Sequence, residues 1–221
     1  LTHSTLVSFW AIPEDNSLDN MLSQCDITAI ISDGKAAITI NDNWYGQLAS
    51  EGIMKDEGYW LIRVSNDDCL YEIEGNYVNF ENHITFELQK GNNLISYPFS
   101  IPQEISDIEY LCEDEIIIGI VGEGMAAMCD NGIFVGSLVI FEYGDGYWFR
   151  MSEYYEYFQY PLPNTDNLAR TADKLPMVPE EFRYNQSTQQ AFYFIESIEN
   201  IEIGDWVLAY YGDKVIGARE W

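Results

Sequence analysis

Gly58-Tyr59-Trp60 comes back 88 residues later as Gly146-Tyr147-Trp148, and its surroundings come back with it. Gly34-Lys35-Ala36-Ala37 returns as Gly124-Met125-Ala126-Ala127, Asn41 as Asn131, Gly46 as Gly136 and Leu48 as Leu138. Upstream, Leu6-Val7-Ser8 returns as Leu94-Ile95-Ser96, and Ile12-Pro13 as Ile101-Pro102. The spacing stays between 88 and 90 residues throughout. A shift that steady is an internal duplication, so most of the chain must fold as two copies of one unit.

Each copy reads as β structure with one short helix. Residues 4–12 and 94–100 are apolar runs ended by Pro13 and Pro102, as buried strands are. After the first proline, Asp15-Asn16-Ser17 can cap a helix whose stripe is Leu18, Met21 and Leu22. After the second, the stripe is Ile105, Ile108 and Leu111. β-Branched runs follow at 27–31 and 116–121. Asp42-Asn43 and Asp130-Asn131-Gly132 are hairpin signals, each just ahead of an aromatic residue. A second turn at 55–58 and 143–146 leads into the aromatic-rich strands 59–64 and 147–151. The first copy is expected to close with strands at 70–73, 77–80 and 84–88, the second with 154–160. These readings divide the chain into a first repeat at 1–90, a second at 91–163, a linker at 164–181 and a C-terminal β segment at 182–221. The fold class is mainly β: two tandem homologous small antiparallel domains plus a short C-terminal piece. Because the duplicated Gly-Tyr-Trp and Ala-Ala are fixed in both copies, Tyr59, Trp60, Tyr147, Trp148, Ala36, Ala37, Ala126 and Ala127 are expected to form the module core.

The last segment has strands at 190–195, 206–211 and 214–219, with Gly212-Asp213 as a two-residue turn. About 40 residues is at the lower edge of what folds alone. Its apolar face, carried by Phe192, Phe194, Trp206, Leu208 and Tyr210, is therefore expected to contact another subunit, by strand addition or burial of that face.

Charge excludes whole classes of partner. Ten Lys+Arg stand against 37 Asp+Glu, a net charge of -27. Phosphate backbones and anionic bilayers repel such a surface, so neither nucleic-acid binding nor membrane insertion is expected. No apolar run approaches the roughly 18 residues of a membrane span. The chain starts at Leu1 rather than Met, which reads as a mature product or a fragment.

Chemistry-bearing residues are sparse. His3 and His83 are the only histidines, and neither metal spacing nor a catalytic triad can be built on them. Glu113-Asp114-Glu115 and Asn66-Asp67-Asp68 offer hard oxygens of the kind Ca²⁺ needs, but neither has the spacing of a calcium loop and neither recurs. No cofactor is expected, with Ca²⁺ the one ion these stretches leave open. Cys25, Cys69, Cys112 and Cys129 do not fall on equivalent positions of the two copies. A bridge built into the module would have been duplicated with it, so they read as mostly free and buried, with one bridge as the alternative for an extracellular chain. Residues 153–160 put aromatics on both faces of a strand, one for a core and one for a partner or ligand.

Asn92-Asn93-Leu94-Ile95-Ser96 together with Gly144-Asp145-Gly146-Tyr147-Trp148 resembles a repeat found in secreted and surface proteins of marine and environmental bacteria and of their viruses. The first copy departs from it, with Ser4-Thr5-Leu6-Val7-Ser8. The segment Tyr184-Asn185-Gln186-Ser187-Thr188-Gln189-Gln190-Ala191-Phe192-Tyr193, then Gly204-Asp205-Trp206-Val207 and Val215-Ile216-Gly217-Ala218-Arg219, resembles a module that follows such repeats, here cut short. The resemblance implies display or adhesion rather than catalysis. The expectation is a non-enzymatic structural protein, extracellular or on a cell or virion surface, that assembles as a homo-oligomer, ring or filament. A carbohydrate-binding adhesion module with glycan as partner is the alternative, and a carboxylate-dependent hydrolase a further one.

Overall fold

Runs rich in β-branched and aromatic residues become strands in the computed structural model. Pro13 follows the short strand Ala11–Ile12, but the strand expected over 94–100 stops at Ser96, ahead of Pro98, so Pro102 ends no strand. The structure describes residues 4–65, 67, 69–77, 84–163, 179–182, 184, 193, 195, 197–202 and 204–221. The first unit contains β1 (Ser4–Ser8), β2 (Ala11–Ile12), β3 (Ile27–Ser32), β4 (Lys35–Ile40), β5 (Asn43–Gly46), β6 (Gly58–Arg63) and β7 (Asn76–Tyr77), with helices α1 (Leu18–Met21) and α2 (Gln47–Glu51). β8 (Phe86–Leu88) comes next. The second unit continues through β9 (Gly91–Ser96), β10 (Gln103–Glu104), a 3-10 turn at Ile105–Ile108, α3 (Tyr110–Glu113), β11 (Ile117–Val121), β12 (Ala126–Asp130), β13 (Ile133–Gly136), β14 (Ile140–Phe141), β15 (Gly146–Met151) and β16 (Tyr155–Phe158). A hairpin of β17 (Trp206–Tyr211) and β18 (Lys214–Glu220) ends the chain.

The fold class is mainly β, as expected. The main sheet of the first unit runs β1-β6-β3-β4-β5 and that of the second β9-β15-β11-β12-β13, all antiparallel. Replacing each strand by its counterpart one repeat later converts one order into the other. Even the irregularities match: β3 and β11 each slip register against the Gly-Tyr-Trp strand, at Ile27/Ala29 and Ile117/Gly119.

Where the units differ, chain length says why. From Leu48 to Gly58 the first unit has two residues more than the second from Leu138 to Gly146. It forms α2 there, which has no counterpart in the second unit. From Ser96 to Gly124 the second unit has two more than the first from Ser8 to Gly34. There the 3-10 turn and α3 replace the single α1. The Ser17 hydroxyl caps α1 by accepting the Asn20 N–H, as the sequence predicts.

Three expectations shift. The tight turn of the first hairpin is Asn41-Asp42, one residue earlier than expected, with φ of 50° and 59°; its counterpart is Asn131-Gly132 at 51° and 86°. Both central residues are left-handed, the geometry that matches strand twist. Residues 70–73 form no strand; Tyr71 and Ile73 instead pack over the first core, and the Tyr71 hydroxyl donates to the Met21 carbonyl. β8, expected to close the first unit, pairs with β16, and Phe86 and Leu88 lie in the second unit's core.

Each unit buries its own cluster, centred on Tyr59 in one and on Tyr147, Phe141, Phe149, Phe158 and Tyr160 in the other. The aromatic strand at 155–158 faces both ways. Phe158 is fully buried, while Tyr154 and Tyr157 are exposed.

Each unit also carries a disulfide. Cys25–Cys69 joins the turn before β3 to the segment after β6, and Cys112–Cys129 joins α3 to β12. Cα separations of 5.6 and 5.5 Å suit a bridge. This overturns the reading of the cysteines as free. That reading assumed that a bridge must be duplicated with its module, but the two units are stapled at different places. Two disulfides are compatible with an extracellular protein, and among the described residues no helix is long and apolar enough to cross a membrane.

Candidate functional site

Tyr59 and Tyr147 are 0% exposed and fill the same place in their units. The Tyr59 phenol oxygen accepts the Met54 N–H at 2.8 Å, and Tyr147 accepts that of Glu142 at 2.8 Å. Adjacent strand residues point to opposite faces, so Trp60 and Trp148 point away from these cores. They meet instead in a third cluster, between the units, with Leu6, Leu94 and Ile31. Trp60 is 4% exposed and Trp148 half-buried. The tryptophans are therefore not the plugs of their own modules; they join one module to the other. Of the paired alanines expected in the core, Ala37 and Ala127 face the cores and Ala126 is also buried, but its counterpart Ala36 is exposed.

The alanines explain a conserved neighbour within the repeat. A Cβ on Gly46 would stand 2.3 Å from the Ala36 carbonyl oxygen, and one on Gly136 2.2 Å from that of Ala126. At both sites φ is positive, 131° and 150°. Only glycine fits.

The joint is isologous. The Ser8 N–H donates to the Gly144 carbonyl at 2.7 Å, and the equivalent Ser96 N–H to the Asp56 carbonyl at 3.3 Å. Val7 bridges to Asp145 and, one repeat on, Ile95 bridges to Glu57. Both serine hydroxyls donate across the joint, Ser8 to the Asp145 carbonyl and Ser96 to that of Lys55. Gly58 and Gly146 face each other at its centre: a Cβ on Gly146 would lie 2.7 Å from the Val7 carbonyl oxygen and 3.3 Å from the Gly58 Cα. A Cβ on Gly58 would meet the Ile95 carbonyl oxygen at 2.9 Å. The repeated triplet thus has three jobs: glycine for close approach, tyrosine for the core, tryptophan for the joint.

Electrostatics break the symmetry. In the first unit, Glu57 takes an ion pair with Lys35 at 2.6 Å and hydrogen bonds from the Ser32 and Tyr59 hydroxyls. Lys35 also pairs with Glu51 at 2.9 Å. In the second unit, Asp145 stands for Glu57, but Met125 stands for Lys35. Burial pushes the Asp145 carboxyl up to about 7, and the charges of Glu123 and Glu142 add to the shift, against a hydrogen bond from Tyr147. Glu123 reaches across the joint to accept the Leu6 N–H at 2.7 Å. Burial raises it also to about 7, although that hydrogen bond pulls it down. Burial raises Glu142 as well. Sequence reading missed Glu123 and Asp145 among 37 acidic residues; the signal available was the loss of the lysine between Gly34-Lys35 and Gly124-Met125.

Of the residues assigned to a subunit contact, Phe192 and Phe194 lie outside the described residues, as do His3, His83, Asn66, Asp68 and residues 185–187. Trp206, Leu208 and Tyr210 alternate along β17, opposite Glu220, Ala218 and Val215 across the ladder. None of them is buried; Phe182 packs on Trp206 at 5.7 Å, and Tyr210 is exposed. Among the described residues no three His, Cys, Asp or Glu side chains gather as a metal site. Comparison with known proteins finds no family model, no curated protein and no solved structure that matches the chain.

The joint predicts unequal tryptophans. Trp60→Ala should cost about 3 kcal/mol, at the lower end for a large buried aromatic, and Trp148→Ala clearly less because it is already half-solvated. Urea melts of both variants decide; equal losses would mean that the joint does not distinguish them.

Proposed function

We propose that this is a non-enzymatic structural or assembly protein, extracellular or on a cell or virion surface, whose β modules associate with copies of themselves. One observation carries the reading. The most strongly repeated residues serve docking of one module on another: Gly58, Trp60, Gly146 and Trp148 lie at an isologous joint. A unit that recognises its own copy within a chain is suited to do so between chains. The resemblance to repeats of surface proteins points the same way, as do two disulfides.

The outward contact in this proposal is the terminal hairpin. Trp206, Leu208 and Tyr210 leave an apolar face open, and β17 holds no charge or proline to defend its edge. The net charge of -27 holds free subunits apart until salt screens it over about 8 Å or less. The adhesion alternative draws less support: the counterpart of exposed Tyr45 is Val135, and that of Tyr157 is Cys69, so these exposed aromatics are not repeated.

Sizing of the full chain, of Leu208→Asp, and of a chain lacking residues 179–221 tests this at low and high salt. The full chain is expected to grow with salt and both variants to stay small. A full chain that remains monomeric at every salt concentration, or a truncated one that assembles equally well, overturns it.

A further inference from the structure

The Glu123 carboxylate meets the edge strand of the first unit, and its charge and that of Glu142 act on Asp145 beside it, with no ion pair to lysine or arginine among the described residues. Glu123 comes from the β11–β12 turn and takes the Leu6 N–H; Asp145 comes from the turn before β15, where its own carbonyl takes the Ser8 hydroxyl; Glu142 stands in the same turn. β1 itself, Ser4–Ser8, carries no charged residue. Of the other titratable groups, Tyr147 hydrogen-bonds Asp145, and Glu57 across the joint is already held by Lys35. The first unit thus neutralises its joint carboxylate with a fixed cation, whereas the second has methionine in that place.

We propose that the joint between the two units is a proton-operated latch, closed when Glu123 and Asp145 are protonated and loosened when both are ionised. In an opened joint these carboxyls meet water and ionise near their ordinary values, roughly 4. In the closed joint they keep their protons up to about 7. Between those limits the closed form binds more protons than the open one. Closure therefore strengthens as pH falls below about 7, and that added strength is lost as pH rises through it. The general repulsion of an acidic chain has the same sign, but salt screens exposed charges far more than buried ones.

The test is hydrogen exchange of the Leu6 and Ser8 amides in the full chain at pH 6 and pH 8, corrected for intrinsic rates, in roughly half-molar salt. Protection should fall about tenfold per carboxyl across this range, the factor for one unit of differential protonation. Glu123→Gln and Asp145→Asn keep shape and acceptors, and the double variant should lose the pH dependence. Met125→Lys, which restores the first unit's cation, should flatten it by the opposite charge state, and urea melts at pH 6 report whether each variant is folded. Wild-type protection that is the same at both pH values overturns the latch, as does an equal fall in the double variant and in Met125→Lys.

Discussion

Replacing Tyr147 by alanine should destabilise the second unit by about 3–5 kcal/mol, the range for large buried aromatics. The ring is completely buried, stands edge-on to Phe141 at 4.9 Å and lies in the same cluster as Phe149 and Leu138. Its phenol oxygen also accepts the Glu142 N–H. Domain stabilities are commonly about 5–15 kcal/mol, so this one change can unfold the unit. Tyr147→Phe keeps the ring and removes the acceptor; the orphaned amide should then cost about 1–3 kcal/mol. Tyr59, which packs on Phe9 at 5.9 Å, should behave in parallel in the first unit. Urea melts followed by circular dichroism measure both. If Tyr147→Ala loses less than the half-buried Trp148→Ala, the division of the repeated triplet between core and joint is wrong.

Reduction of the disulfides should be nearly as damaging. Cys25–Cys69 spans 44 residues and Cys112–Cys129 spans 17. Loop-closure entropy of the unfolded chain then gives about 4 kcal/mol for the first and about 3 kcal/mol for the second. The longer loop matters more because its closure removes more freedom from the unfolded chain. The first bridge also ties down the 69–73 segment, whose Tyr71 and Ile73 cover the first core. Denaturant midpoints with and without reductant, and in Cys69→Ser and Cys129→Ser, separate the two. Midpoints that do not move on reduction would mean the thiols are not bridged in solution.

The unit and its repetition are legible in the chain's own residues. Strands, turns and the helix after each proline follow from local chemistry: β-branched and aromatic runs, left-handed residues at Asn131-Gly132, a serine cap at Ser17, with the first hairpin turn falling one residue ahead of its expected Asp42-Asn43. These act over a few residues, so they can be read from a few residues. The assignment of β8 went to the wrong unit because its pattern is local but its partner, β16, is some 70 residues away. Which side of each strand lies inside is set by packing. Alternation puts Tyr59 and Trp60 on opposite faces, but both faces of β6 are apolar, since one lines a core and the other a joint. The same holds for Glu123 and Asp145. Their partners lie across the docked units, Leu6 being 117 residues from Glu123 and Ser8 137 from Asp145. No window of sequence contains such contacts; they exist only once two folded copies meet, and burial at that meeting is what shifts the carboxyls.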